Sequence, residues 1–239
     1  IEIGKKITQQ EAQLEPEQER VQSFELAKNL VEQIAFEARE SEYVDAKSGV
    51  SARLTISAYE NLISAAERRM FKNKAEKTTV RVADFVGVIP AITGKVELVY
   101  EGEQEGPGIV AANLISKAIR TQFVNFFPDP EEIRKSKKRD NPYQVISEWF
   151  GKGNMVDIML DASDADYSSC LNSVPGLAVL VNKKYKKESE AYRLFLMELA
   201  LHGLAEYSVL SKHTLDEGLQ FKDLISSMFN IEDHTAEDI

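Results

Sequence analysis

Apolar residues return at every third or fourth position over much of this chain, the spacing that lines one face of an α-helix. Val21, Phe24, Ala27, Val31, Ile34, Ala35 and Ala38, with Glu, Lys and Gln between them, predict one long amphipathic helix from Arg20 to about Glu42. After a turn around Asp45 to Gly49, the spacing of Ile56, Tyr59, Leu62, Ile63, Ala66 and Met70 predicts a second. It runs into the basic stretch Arg68 to Lys77, where cations suit a helix C-terminus. Over Val80 to Thr93 the period fits helix or strand; Asp84 just inside the run Phe85, Val88 and Ile89 favours a short helix, and Pro90 should bend or end it. Lys95 to Tyr100 alternates apolar and charged residues, as a short strand or an extended arm does. The acidic segment Glu101 to Glu105 reads as a turn. Pro107 then suits the first position of a helix carrying Ile109, Val110, Leu114, Ile115, Ala118, Ile119 and Phe123.

The flanks carry weaker signals. Ile1 to Glu19, rich in Gln and Glu and broken by Pro16, reads as an extended or frayed entry. Two prolines and the charge run from Arg134 to Arg139 mark 128–141 as a linker. Asn141 and Pro142 look like the cap and first position of a helix holding Val145, Ile146, Trp149 and Phe150, stopped by Gly151 and Gly153. Asp164 can cap Tyr167 to Leu171, and Pro175 can open a helix to about Lys184. Glu188 to about Leu210 gives the strongest helical pattern of this half, through Tyr192, Phe195, Leu196, Leu199, Leu204 and Tyr207. The tail after Ile231 is acidic and expected to be loose. The chain is therefore read as all-α, in two parts: 1–100, and a helical extension over 101–239.

Composition narrows the classes. With 239 residues, 43% of them hydrophobic, the chain can bury a real core. A formal charge of -10 argues against a general nucleic-acid or anionic-membrane surface, which needs clustered Lys and Arg. The longest clear apolar run, Leu177 to Val181, falls far short of the roughly 18 residues that cross a bilayer. The single Cys170 forms no internal disulfide, and with no leader a reducing cytoplasm is the expected compartment.

Most candidate chemistry fails on spacing. Asp157, Asp161, Asp164 and Asp166 suggest calcium, but a loop starting at Asp164 has Ser169 where Gly is needed and Pro175 where Glu is needed. His202, His213 and His234 lack the spacing and the cysteines of a zinc set, and nothing resembles a Gly-x-Ser-x-Gly elbow. Lys135 to Arg139 has no interleaved aromatics, so it reads as a solvated linker. Trp149, Phe150, Tyr192 and Phe195 fall at core spacings. No G-x-x-x-x-G-K-[ST] loop and no acidic magnesium-binding strand occur, so the chain by itself is expected to build no ATPase site.

One motif stands out. In SGVSAR, Ser48 to Arg53, Ser51 can cap the following helix and put Arg53 in its first turn. Unpaired backbone donors and the dipole favour an anion there, and a guanidinium suits a phosphate. The run SGVSARLTISAYENLISAAERR, with VRVADFVGVIPAITGKVELVYEGEQEG from Val80 to Gly106, resembles the lid region of magnesium-chelatase-like AAA+ ATPases, close to the MoxR type. The resemblance covers most of the chain from about Arg20 onward. It implies a helical lid over 1–100, with Arg53 as the sensor 2 arginine, supported by Ser51, reaching the terminal phosphate of ATP. Arg68, Arg69 and Arg81 do not occupy the motif position. It implies ATP and magnesium held mostly by an upstream core domain, a homo-oligomeric ring, and a von Willebrand A domain partner served by remodelling or metal insertion. The opening residue Ile1 fits a C-terminal portion of a longer protein. The alternative is a helical scaffold that binds proteins and no nucleotide, with Arg53 merely paired to a carboxylate.

Overall fold

A computed structural model describes residues 1–136 and 141–224. The chain divides into two compact units, Ile1–Gln122 and a second from Phe123 onward. The division falls inside a helix, whereas the sequence reading put it at 100/101. The linker expected over 128–141 is in part a helix, and the rest of it, 137–140, lies outside the described residues, as does the tail after Ile231.

The first unit is built on two long helices. Helix α2 (Glu25–Glu40) buries Leu26, Leu30, Val31, Ile34 and Ala38, and α3 (Arg53–Lys72) answers with Leu54, Ala58, Leu62, Ile63 and Met70, the stripes that the 3.6-residue period marks. Helix α2 starts five residues later than expected, because Val21–Gln22 is a short strand, β1, paired in parallel with β2 (Thr78–Thr79). A 3-10 turn over Ala83–Val88 packs on α3 and passes into α4 (Ile89–Thr93). Pro90 lies in the first turn of α4, where its missing N–H costs nothing, so it opens a helix rather than ending one. The Lys95 to Tyr100 arm bridges Val44 to Leu98 in antiparallel sense. The expected acidic turn is α5 (Tyr100–Glu105), followed by α6 (Pro107–Phe123), which starts at the proline as read.

The N-terminal segment departs most from its sequence pattern. Residues Glu2–Glu11 form α1, which packs on α2 and α3. The side it buries is polar, Lys5 and Thr8, while Ile3 is 77% exposed. A 3-10 turn over Pro16–Arg20 follows, with Gln18 Nε2 donating to Ser64 Oγ and Glu67 Oε2 on α3. Polar anchoring, which hydrophobic periodicity cannot detect, explains why the segment looked frayed.

The second unit corrects the all-α reading. Alongside α7 (Pro130–Ser136), α8 (Gln144–Phe150), α9 (Asp164–Asn172), α10 (Leu177–Tyr185) and α11 (Glu190–Glu206) it holds a three-stranded antiparallel sheet. Strand β3 (Val156–Met159) pairs with β5 (Gly218–Asp223), and β5 with β4 (Leu210–Leu215), in the order β3-β5-β4. Val156, Ile158, Leu219 and Phe221 face inward and alternate with Asp157, Gln220 and Lys222, the period of two that one buried face requires. Leu196, Leu199 and Leu204 of α11 complete the core. In α11, Gly203 admits the Phe123 ring: a Cβ there would lie 2.0 Å from Phe123 Cδ2. The α9 cap is Ser163, accepting from the Asp166 N–H at 3.1 Å, rather than Asp164. Helix α8 starts at Gln144 with Tyr143 at the cap position, so Asn141 and Pro142 lie in the turn before it rather than at its cap and first position; the Asn141 side chain accepts from the Tyr143 N–H at 2.9 Å in that turn. Among the described residues the chain is thus mainly helical with two small sheets, and no described helix is long and apolar enough to cross a membrane.

Candidate functional site

The loop that leads into α3 is held from both sides. On one side the Asp45 N–H donates to Glu97 O at 2.9 Å and the Val99 N–H to Tyr43 O at 3.0 Å, stapling the loop to the Lys95 to Tyr100 arm. Gly102 is needed at this contact, since a Cβ there would lie 2.6 Å from Tyr43 O. On the other side Arg39 Nη2, at the end of α2, donates to Val50 O at 3.1 Å. Between the two, Asp45 Oδ1 accepts from the Lys47 N–H and Gly49 takes φ +69°, a left-handed value that glycine adopts without strain.

Arg53 is the first residue of α3 and is exposed. Ser51 precedes it by two: its Oγ accepts from the Arg53 N–H at 3.3 Å and its carbonyl from the Leu54 N–H at 3.1 Å. The residue at the cap position is Ala52, so Ser51 supports the entrance from one residue further out than a standard cap. The Ser51 hydroxyl hydrogen can still be given to an acceptor. Among the described residues, no hydrogen bond or ion pair occupies the Arg53 guanidinium, and it is not turned into the core.

Below the entrance lies a buried polar group that hydrophobic patterns gave no reason to look for. Thr8 Oγ1 on α1 donates to Glu32 Oε1 on α2 at 2.7 Å and lies 2.8 Å from Thr55 Oγ1 in the first turn of α3. Each hydroxyl has one hydrogen. Because Thr8 spends its own on the carboxylate, the contact between the two hydroxyls takes the Thr55 hydrogen, for which the Ala52 carbonyl at 3.1 Å competes; when Thr55 donates to Thr8 the order is Thr55 to Thr8 to Glu32. All three are buried, at 3%, 4% and 6% exposure. Gly4 lets α1 come this close, since a Cβ there would fall 2.1 Å from Glu32 Oε2.

The other arginines have different duties. Arg69 is buried: its Nε and Nη2 fork onto Asp84 Oδ1 and Oδ2 at 3.3 and 2.9 Å, Nη1 reaches Thr78 Oγ1 at 2.8 Å, and Nη2 also reaches Thr79 O at 2.8 Å. Asp84 Oδ2 also accepts from the Arg81 N–H at 2.7 Å. This bidentate pair ties β2 and the 3-10 turn to α3. Arg69 therefore belongs to the core, not to the C-terminal surface of α3 that its position suggested, and the Arg81 side chain is buried as well.

In the second unit, Asp157 lies on β3, bonded by Gln220 Nε2 at 2.9 Å, while Asp164 and Asp166 sit in the first turn of α9. Among the described residues no three His, Cys, Asp or Glu side chains gather to hold a metal ion. Cys170 Sγ donates to Asp157 O, and burial pushes its thiol up to about 11, away from the thiolate a nucleophile needs. His202 on α11 is buried; its Nε2 is 3.9 Å from Glu198 Oε1, and neither ring nitrogen has a hydrogen-bond partner. Burial holds its pKa well below the usual 6.5, so it is neutral at pH 7. Tyr167 donates its hydroxyl to Glu198 Oε2 at 2.7 Å.

No family model, curated protein or solved structure matches the chain.

Proposed function

We propose that this chain is the lid and helical extension of an ATP-hydrolysing protein of the magnesium-chelatase-like AAA+ type, in which Arg53 reads the terminal phosphate. The observation that carries the proposal is the state of Arg53: exposed, at the first position of a long buried helix, without a carboxylate partner among the described residues, while Arg69 and Arg81 are buried. That state disfavours the scaffold reading in which Arg53 is tied to a carboxylate. The exposed Ile3 and Ile7 of α1 favour that scaffold reading as the second one, since an apolar strip can dock a protein.

In this reading an upstream core domain holds ATP and magnesium, and the ion neutralises phosphate charge there. A cation carried at the mouth of α3 stabilises charge on the terminal phosphate oxygens, and it does so more for ATP than for ADP. Nucleotide identity then biases an equilibrium between open and closed lid by that difference in affinity. Assembly into a ring and action on a von Willebrand A domain partner, by remodelling or metal insertion, belong to the same proposal. The test is the longer protein carrying Arg53→Ala. Its preference for a non-hydrolysable ATP analogue over ADP should shrink by roughly tenfold or more, on the scale of one charge-assisted contact. An unchanged preference refutes the sensor role.

A further inference from the structure

The phosphate-reading role of Arg53 requires that the guanidinium stay on one bearing. The exposed part of the entrance supplies little of that. The Ser51 bond to the Arg53 N–H is long at 3.3 Å and open to water, and the Arg39 bond to Val50 O is exposed too. Exposed hydrogen bonds of this kind exchange readily with solvent. What fixes the first turn of α3 must come from underneath.

The buried Thr55, Thr8 and Glu32 group has the right form. Thr55 is two residues from Arg53 in the same helical turn, so any rotation or slide of that turn moves both. Its hydroxyl can close on the Ala52 carbonyl at 3.1 Å within its own turn, or donate to Thr8 at 2.8 Å. With one hydrogen it makes one of these bonds at a time. Thr8, committed to Glu32 at 2.7 Å, accepts and so draws the Thr55 hydrogen away from α3 and toward α1. Glu32 Oε1 accepts at the end of the chain of bonds, which sets its direction. Three helices therefore meet at one buried, directed set of hydrogen bonds, and none of the three side chains can turn to water instead. Lys5 of α1, salt-bridged to Glu25 of α2 at 3.3 Å, adds a second tie between the same two helices.

We infer that Thr8 and Glu32 are positioning residues for Arg53, acting through Thr55, so that the seating of α1 sets how well the chain distinguishes ATP from ADP. This rests on the sensor reading of Arg53. It adds that α1, the segment least legible in the sequence, controls that sensor. Disturbing the buried bonds leaves the guanidinium present but less well aimed. The loss is then specific to the nucleotide whose terminal phosphate Arg53 meets.

The experiment measures affinities for ADP and for a non-hydrolysable ATP analogue in the longer protein. Thr8→Val keeps the shape of the side chain and removes the hydroxyl; Thr8→Ser keeps the hydroxyl. The preference for the ATP analogue should fall by roughly three- to tenfold in Thr8→Val, the scale of one buried hydrogen bond, with ADP affinity unchanged. Thr8→Ser should restore most of it, and Thr8→Val should add nothing in an Arg53→Ala background. In this chain alone, Thr8→Val should speed hydrogen exchange at the Leu54 and Ile56 amides. If Arg53→Ala shrinks the preference but Thr8→Val does not, the positioning role is overturned and the sensor role stands. If Thr8→Val weakens both nucleotides equally, Thr8 is merely structural and the inference fails. If Arg53→Ala has no effect, both fall.

Discussion

Arg69 in the first unit and His202 in the second are both large, polar and buried, at 2% and 4% exposure, yet their surroundings are opposite. Arg69 carries four described hydrogen bonds, two of them to Asp84, and its charge is neutralised where it lies. His202 has none at either ring nitrogen and rests edge-on against Phe221, 5.0 Å between ring centres. The first unit uses buried polar groups as fasteners: Arg69 to Asp84 at one end of α3, Thr55 to Thr8 and Glu32 at the other. In the second unit α11 packs on its sheet through apolar side chains; Glu198 is bonded by Tyr167, but His202 is enclosed by that packing with no hydrogen-bond partner. A buried charge is costly to orphan, whereas an unbonded neutral ring is costly to keep. Cutting one side of the Arg69 pair should therefore do harm, and removing His202 should help.

The largest effect is expected at Asp84. Asp84→Ala strands the Arg69 guanidinium in the core and should cost about 3–5 kcal/mol, read from the denaturant midpoint of the first unit. A loss below about 1 kcal/mol would mean that the pair contributes like an exposed one and would break the comparison. Next is His202→Leu, which removes two unsatisfied nitrogens of similar bulk and should stabilise the second unit by about 1–3 kcal/mol at pH 7.5. The pH profile sharpens this. The folded-state pKa is depressed below 6.5, so the unfolded chain takes up a proton that the folded chain refuses. The stability is present above about pH 6.5 and is lost as pH falls below it, by up to about 1.4 kcal/mol per pH unit. His202→Leu should flatten that part of the profile. An identical slope in wild type and variant between pH 6.5 and 5.5 would show that His202 protonates in place.

The same contrast explains what the sequence could and could not disclose. Helices α3, α6, α8 and α11 are amphipathic or apolar in the usual sense, and their apolar residues could be read in advance. Helix α1 was missed because it turns Lys5 and Thr8 inward and Ile3 outward, the reverse of what periodicity assumes. Arg69 sits in a basic run at a helix end and looked solvated; nothing local announces that Asp84, fifteen residues on, folds back onto it. The β4 and β5 hairpin was lost because β4 follows directly on the strongest helical pattern and Ser211 to Thr214 is a polar run. Only Leu219 and Phe221 of β5 alternate clearly with polar neighbours. At the candidate site the position of Arg53 at the mouth of α3 was legible, because a serine at 51 followed by an apolar stripe from Ile56 marks where the helix must start. The hydroxyl and carboxylate group beneath it was not, since three polar residues from three separate segments share no sequence signal.

The smallest effect is expected at Ser51. Its bond to the Arg53 N–H is exposed, so Ser51→Ala should cost the first unit about 0.5–1 kcal/mol, near the low end for helix caps. A loss as large as that of Asp84→Ala would place the fastening of α3 at its open end instead of in the core.

The proposal that the exposed cation at the start of α3 answers to a nucleotide is tested most directly by ATP turnover of the proposed ATP-hydrolysing protein carrying Arg53→Ala, with the melting temperature of this chain measured beside it. Turnover should fall by roughly ten- to a hundredfold, the scale of losing one charge-stabilising donor, while the melting temperature stays within about 1 °C of wild type. Turnover equal to wild type at an unchanged melting temperature would contradict the role assigned to Arg53.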